Sequence, residues 1–133
     1  MGSGIAQVAA QAGFDVFLAD RELSVSEAGK TKIAAGLKKQ IEKGKMTVAE
    51  STAILEKIKP VSGIGDLKSM DMVIEAASEN PELKFKIFKQ LDEVCDAKTI
   101  LATNTSSISI TLIAAQTKRP DRVAGMHFMN PVP

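Results

Sequence analysis

The sequence predicts an α/β fold built on a parallel sheet, and three observations carry that reading. Stretches with apolar residues at helical spacing alternate with short apolar, β-branched runs from one end of the chain to the other. Glycine, proline and small polar residues fall at the joints between them. No internal repeat, low-complexity tract or linker interrupts the alternation, so its 133 residues form one domain of common size.

Ile5, Val8, Ala9 and Ala12 share one helical face and Gly13 stands where a left-handed C-terminal cap belongs, which predicts a helix over residues 2–12. FDVFLAD, residues 14–20, reads as a buried strand that ends on a carboxylate. A long helix follows over residues 24–43, with Ile33, Leu37 and Ile41 repeating every fourth position and lysines filling the other face, until Gly44 breaks it. Thr47 and Glu50 form a capping-box pattern for a helix to about Lys57, which makes a helical hairpin projecting from the alternating pattern. A short strand is expected around Val61, and MVIEAA, residues 72–77, gives another. Asn80 is a good N-cap and Pro81 suits the first helical position of a helix whose buried stripe reads Leu83, Ile87, Leu91 and Val94. A strand over 99–103, a short helix over 109–116 and a last strand over 123–128 complete the series.

Lys and Arg number 17 against 16 Asp and Glu, so the net charge of +1 gives no case for nucleic acid or a membrane surface as a partner. A hydrophobic share of 44% and a charged share of 25% are those of an ordinary globular domain. The single cysteine, Cys95, excludes an internal disulfide, fits a reducing compartment and reads as buried packing. The cytoplasm is the expected location, with the mitochondrial matrix left open. No apolar run approaches the roughly 20 residues that span a bilayer. One histidine, one cysteine and scattered carboxylates make no convincing metal set, and none is expected.

Gly2 and Gly4 open the first helix, and eighteen residues after Gly2, at the end of the next strand, stands Asp20. In doubly wound, Rossmann-like sheets a glycine-rich turn sets a pyrophosphate on a helix N-terminus, and an acidic residue about 20 positions on accepts hydrogen bonds from the adenosine ribose. On this reading Gly2 is the third motif glycine, and the first strand and the two earlier glycines precede Met1. Taken alone, two glycines at a helix start equally signify flexibility or capping. Asp20 would repel a 2′-phosphate and so favours NAD over NADP, whereas Arg21 could hold a phosphate or stack on adenine. A sheet without its central strand leaves backbone groups unpaired, so the isolated chain is expected to be poorly stable.

Three segments closely resemble the N-terminal, NAD-binding domain of 3-hydroxyacyl-CoA dehydrogenases: MGSGIAQVAAQAGFDVFLAD, VIEAASENPELKFKIFKQLD and LATNTSSISITLIAAQTKRPDRVAGMHFMNPVP. The pairing of NTSSISIT with GMHFMNPVP is the most specific part, and its form is most similar to the short-chain 3-hydroxybutyryl-CoA dehydrogenases. The dehydrogenase part of multifunctional fatty-acid oxidation proteins is the second choice. The resemblance implies a hydride transfer between a (3S)-3-hydroxyacyl-CoA and NAD, and a C-terminal helical domain beyond Pro133 through which the full-length protein forms a homodimer.

Oxidising a secondary alcohol requires a base for the hydroxyl proton, and imidazole titrates in the right range. From the residues alone, His127 reads first as a structural histidine; within GMHFMNPVP the resemblance makes it the catalytic base. The glutamate that orients this base in the family lies beyond Pro133. Ser106 corresponds to the serine that hydrogen-bonds the substrate oxygen beside the nicotinamide, with a turn or N-cap serine as the alternative. Asn130 matches a position near the nicotinamide ribose or carboxamide, or is a conformational lock before proline. Glu79 and Lys84 match positions that contact the cofactor ribose region, the alternative being a solvated pair on a helix's first turn. Asn104 is expected to shape its loop. Lys38, Lys39, Lys43 and Lys45 form a basic cluster suited to the phosphates of CoA, or simply a solvated helix face. A non-catalytic nucleotide-binding or structural relative is the competing reading, against which Ser106 and His127 together weigh.

Overall fold

The computed structural model describes residues 1–132, which divide into two compact units, Met1–Gly63 with the segment from Asn130 onward, and Ile64–Met129. In the first unit, α1 (Gly2–Gln11) leads into β1 (Val16–Asp20), α2 (Leu23–Glu42), α3 (Val48–Glu56) and β2 (Ile58–Ser62). β1 and β2 pair in parallel, Val16 opposite Ile58 and Asp20 opposite Ser62. Gly13 and Gly44 both take positive φ, 97° and 71°, and end their helices where the sequence reading puts the breaks. Thr47 accepts the Glu50 N–H at 3.1 Å, so the predicted cap starts α3.

The core of this unit is Ala6 and Ala10 of α1, Ile33 and Leu37 of α2, and Ile58 of β2, with Ile54 and Leu55 of α3 packed against it. The base of the helical hairpin is therefore core rather than a free arm. Ser26 is buried in α2 and donates to the Val61 carbonyl at 2.9 Å, which ties the helix to β2.

In the second unit, β3 (Met72–Glu75), β4 (Ile100–Thr103) and β5 (Val123–Gly125) form a parallel sheet in that order, with α4 (Pro81–Val94) and α5 (Ile110–Ala114) between them in the chain. Asn80 and Ser109 cap α4 and α5, accepting from Leu83 N–H and Leu112 N–H.

Two expectations need correction. The stripe that α4 buries is Lys84, Phe88 and Leu91, continued by Cys95, while Leu83 is 37% exposed. The helix is rotated by about one residue because the Lys84 ammonium has a carboxylate to meet inside. The last strand stops at Gly125 rather than running to residue 128, although the Met126 N–H still donates to the Thr103 carbonyl at 2.8 Å. A Cβ at Gly125 would collide with Cδ1 of Ile110 on α5, so a side chain there requires that exposed isoleucine to turn aside.

Arg119 closes the far end of this unit. Its guanidinium donates to Asp92 Oδ1 at 2.7 Å and to the carbonyls of Asp92, Cys95, Asp96 and Thr99, satisfying the C-terminus of α4 with a single buried side chain. Burial pushes the Cys95 thiol up, and it donates to the Leu67 carbonyl, as a packed cysteine should. Arg119→Met removes the donor to Asp92 Oδ1 and to the Asp92, Cys95 and Thr99 carbonyls, while Asp92 Oδ2 keeps the Lys118 N–H and the Asp96 carbonyl keeps the Thr99 N–H. Chemical denaturation should register a loss of about 3–5 kcal/mol. A loss below about 1 kcal/mol would place the anchoring elsewhere.

Candidate active site

The first unit offers a carboxylate and a helix N-terminus. Asp20 closes β1 and is exposed; its Oδ1 accepts the Arg21 N–H at 2.7 Å, and Oδ2 has no partner among the described residues. The strand end is fixed by Gly63 N–H donating to the Asp20 carbonyl at 2.6 Å and by the Ser62 hydroxyl donating to the Arg21 carbonyl. Gly63 takes φ +68°, which favours glycine in this turn. The Arg21 side chain is exposed and makes no ion pair among the described residues. At α1 no side chain caps the helix and no acidic residue occupies the first turn. A Cβ added at Gly2 would have nothing within 4 Å, whereas one added at Gly4 would lie 2.9 Å from Cβ of Val132. Asn130 is exposed and lines a cavity of about 330 Å³ with Met1, Ser3 and Gly36.

The second unit carries a connected polar network at the carboxyl ends of β3 and β4. Glu75, the last residue of β3, is buried, and its Oε2 accepts the Lys84 ammonium at 2.6 Å and the Ala77 N–H at 2.7 Å. Its Oε1 accepts the Thr103 hydroxyl at 2.7 Å. Lys84 also donates to the Ala77 carbonyl at 3.1 Å, so the pair grips one residue's backbone from both sides. The Thr103 oxygen in turn accepts the Thr105 N–H at 3.2 Å. Thr105 donates its hydroxyl to Glu79 Oε1 in a very short hydrogen bond, and Glu79 Oε2 accepts both the N–H and the hydroxyl of Ser106 at 3.2 Å.

Lys84 is thus neither solvated nor exposed on the first turn; its side chain is 2% exposed, and its distance to Glu79 is 3.9 Å. Ser106 does not cap a helix, a task that falls to Ser109. The Thr105 hydroxyl, followed by the Ser106 N–H, holds the Glu79 carboxyl below the usual carboxylate range against a small opposing effect of burial; the Ser106 hydroxyl and the Lys84 charge add to the lowering. Sequence reasoning missed Glu75, Thr103 and Thr105. The available signal was a glutamate ending an apolar strand and a lysine nine residues on, at a position where α4 turns inward.

His127 is exposed on the segment after β5, and among the described residues its imidazole makes no hydrogen bond. Its backbone is fixed on both sides, because Met126 N–H donates to the Thr103 carbonyl and Phe128 N–H donates to Asn104 Oδ1 at 2.7 Å. Asn104 uses its side chain on another segment than its own loop, coupling the stretch that carries Ser106 to the one that carries His127.

Comparison with known proteins decides the family. The model described as "3-hydroxyacyl-CoA dehydrogenase, NAD binding domain" matches residues 1–133. The chain belongs to the 3-hydroxyacyl-CoA dehydrogenase family. It is 49% identical over all its residues to a Bacillus subtilis protein named probable 3-hydroxybutyryl-CoA dehydrogenase, covering 46% of that protein. An Escherichia coli relative named 3-hydroxyadipyl-CoA dehydrogenase is 48% identical over the whole chain, which covers 28% of it. The crystal structure of (S)-3-hydroxybutyryl-CoA dehydrogenase from Ralstonia eutropha superposes with a TM-score of 0.96 at 47% identity, over the whole chain and 47% of that structure. The chain spans about half the length, or less, of the relatives it matches. The matched domain is the NAD-binding domain of these dehydrogenases. No helix of the described residues is long and apolar enough to cross a membrane.

Because the folded-state value of Glu79 is the lower one, its stabilising contribution is full above the ordinary value of 4.5 and is lost as pH falls through the folded value. Removing the leading cause with Thr105→Val should bring the Glu79 titration, followed by NMR of its side-chain carboxyl carbon, back up toward that ordinary value. An unchanged midpoint would show that Thr105 does not hold the charge.

Proposed function

We propose that the full-length protein interconverts a 3-hydroxyacyl-CoA, of (3S) configuration, and its 3-ketoacyl-CoA, with His127 as the acid/base. The observation that carries this reading is a solvent-facing imidazole on a backbone hydrogen-bonded to β4 and to Asn104, two residues from the Ser106–Glu79 pair. The polar groups lie at the carboxyl ends of parallel strands, where doubly wound sheets bind their ligands.

NAD, when bound, supplies the acceptor for the hydride that leaves the carbinol carbon. His127 takes the hydroxyl proton during oxidation and returns it during reduction. Ser106 orients the reacting oxygen. Its hydroxyl bond to Glu79, at 3.2 Å, is long for an O–H···O pair, so redirecting that proton to a substrate oxygen gives up little. Glu79, held ionised, accepts from a ribose hydroxyl, with Lys84 completing that region from behind. Asp20 accepts from the adenosine ribose and excludes a 2′-phosphate, while Arg21 lies alongside for adenine stacking. The α1 terminus at Gly2 takes the pyrophosphate, and Asn130 reaches the nicotinamide ribose or carboxamide.

The substrate class rests on the relatives' names, which share a CoA thioester of a 3-hydroxy acid and differ in the acyl group. Lys38, Lys39, Lys43 and Lys45 are all exposed and in no ion pair among the described residues, and they supply the charge for CoA phosphates. The working protein is a cytoplasmic homodimer on this reading.

The test is NADH-dependent reduction of acetoacetyl-CoA by the full-length protein. His127→Ala should lower kcat/KM by about 10²–10⁴-fold, the usual contribution of general acid–base catalysis. Unchanged turnover would remove His127 from the chemistry.

A further inference from the structure

We infer that Glu75 is a positioning residue that sets both ligand-facing loops of the second unit at once. The inference rests on the dehydrogenase reading above, because the loops matter through Glu79 and Ser106. Glu75 is 5% exposed and hydrogen-bonds neither of those residues itself. Its two oxygens divide the work. Oε2 holds the β3–α4 connection by accepting the Ala77 N–H, while Lys84, paired to the same oxygen, grips the Ala77 carbonyl. Ala77 lies two residues before Glu79. Oε1 orients the Thr103 hydroxyl, leaving the Thr103 oxygen to accept from the Thr105 N–H, one residue before Ser106. The Thr103 hydroxyl gives its one proton to Glu75 and keeps a lone pair for the Thr105 N–H, so one side chain joins the two loops. The carboxylate thereby anchors a chain of contacts from Lys84 through Thr103 to the Thr105 backbone, beside Ser106.

The charge of Glu75 is required for this arrangement. A neutral amide would present one acceptor oxygen to three donors, and its NH₂ would face either the Lys84 ammonium or the Thr103 hydroxyl. Thr103 is the link that can be cut with least disturbance, since valine has almost the same shape and no hydroxyl. It is fully buried, so the substitution alters no surface.

The experiment compares Thr103→Val, Thr103→Ser, Ser106→Ala and the Thr103→Val/Ser106→Ala double variant in the full-length protein. NADH-dependent reduction of acetoacetyl-CoA is measured together with hydrogen exchange at the Ser106 amide, whose acceptor is Glu79 and not Thr103. Thr103→Val should lower kcat at least tenfold, change KM for NADH less than threefold, and speed Ser106 amide exchange at least tenfold. Thr103→Ser should restore all three. The double variant should be no slower than the slower single variant, because the two residues act through one another. Should Thr103→Val keep its kcat and its exchange rate, or should the two losses multiply, the inference is overturned while the dehydrogenase reading stands. Should Thr103→Val fail to fold, Glu75→Gln takes its place with the same readouts, and a wild-type kcat and exchange rate there overturn it equally. A wild-type protein that does not reduce acetoacetyl-CoA overturns the functional reading, and the inference falls with it.

Discussion

Lys84 and Glu75 set a positive and a negative charge 2.6 Å apart where neither side chain is more than 2% exposed. Desolvating two charges costs several kcal/mol per ion, and the attraction between them repays this only when the remaining donors and acceptors are also satisfied. Here the Ala77 N–H, the Ala77 carbonyl and the Thr103 hydroxyl complete the shell. Among the described residues no buried side-chain nitrogen or oxygen lacks a partner. A fully satisfied network in a low-dielectric interior is rigid. That rigidity is what the ends of β3 and β4 need, because the exposed Glu79 and Ser106 have no packing of their own to hold them.

The same pair explains where the helix pattern misled. A stripe read from apolar residues alone puts Leu83 and Ile87 inwards, and the structure puts Lys84 and Phe88 there. Hydrophobic periodicity treats lysine as a surface residue, whereas here a lysine with a buried carboxylate to meet, together with Phe88, takes the inner face, leaving Leu83 exposed and Ile87 half-buried. Elsewhere local chemistry was sufficient. Asn80, Thr47 and Ser109 cap the helices they precede, Gly13 and Gly44 end them, and Ile33 and Leu37 enter the core. Each of these signals is complete within a turn or two of chain, so nothing distant could revise it. The early end of β5 is different in kind, because the backbone there leaves the ladder to bond with the Asn104 side chain, a partner 24 residues away.

For the candidate site, motif similarity singled out separate residues, among them Lys84, which the structure buries. Of the residues singled out by motif, the structure places Asp20, Glu79, Ser106 and His127 at the surface. Their support was not legible. Glu75 reads as one polar residue inside the strand expected over 72–77, Thr103 and Thr105 as β-branched residues near a turn, and Arg119 as one cation among 17 Lys and Arg. What makes them matter is a set of hydrogen bonds spanning 9 to 28 residues, which no local window displays.

The central claim is that Lys84 and Glu75 stabilise this unit as a pair and not as two separate polar residues. Chemical denaturation of Lys84→Met, Glu75→Gln and the double variant tests it most directly. The account predicts that each single change costs about 3–5 kcal/mol, since each leaves an unpaired buried charge. It also predicts that the double variant loses less than the sum by about 1–3 kcal/mol. Losses that simply add would mean that the two charges stand independently, and the account would be wrong.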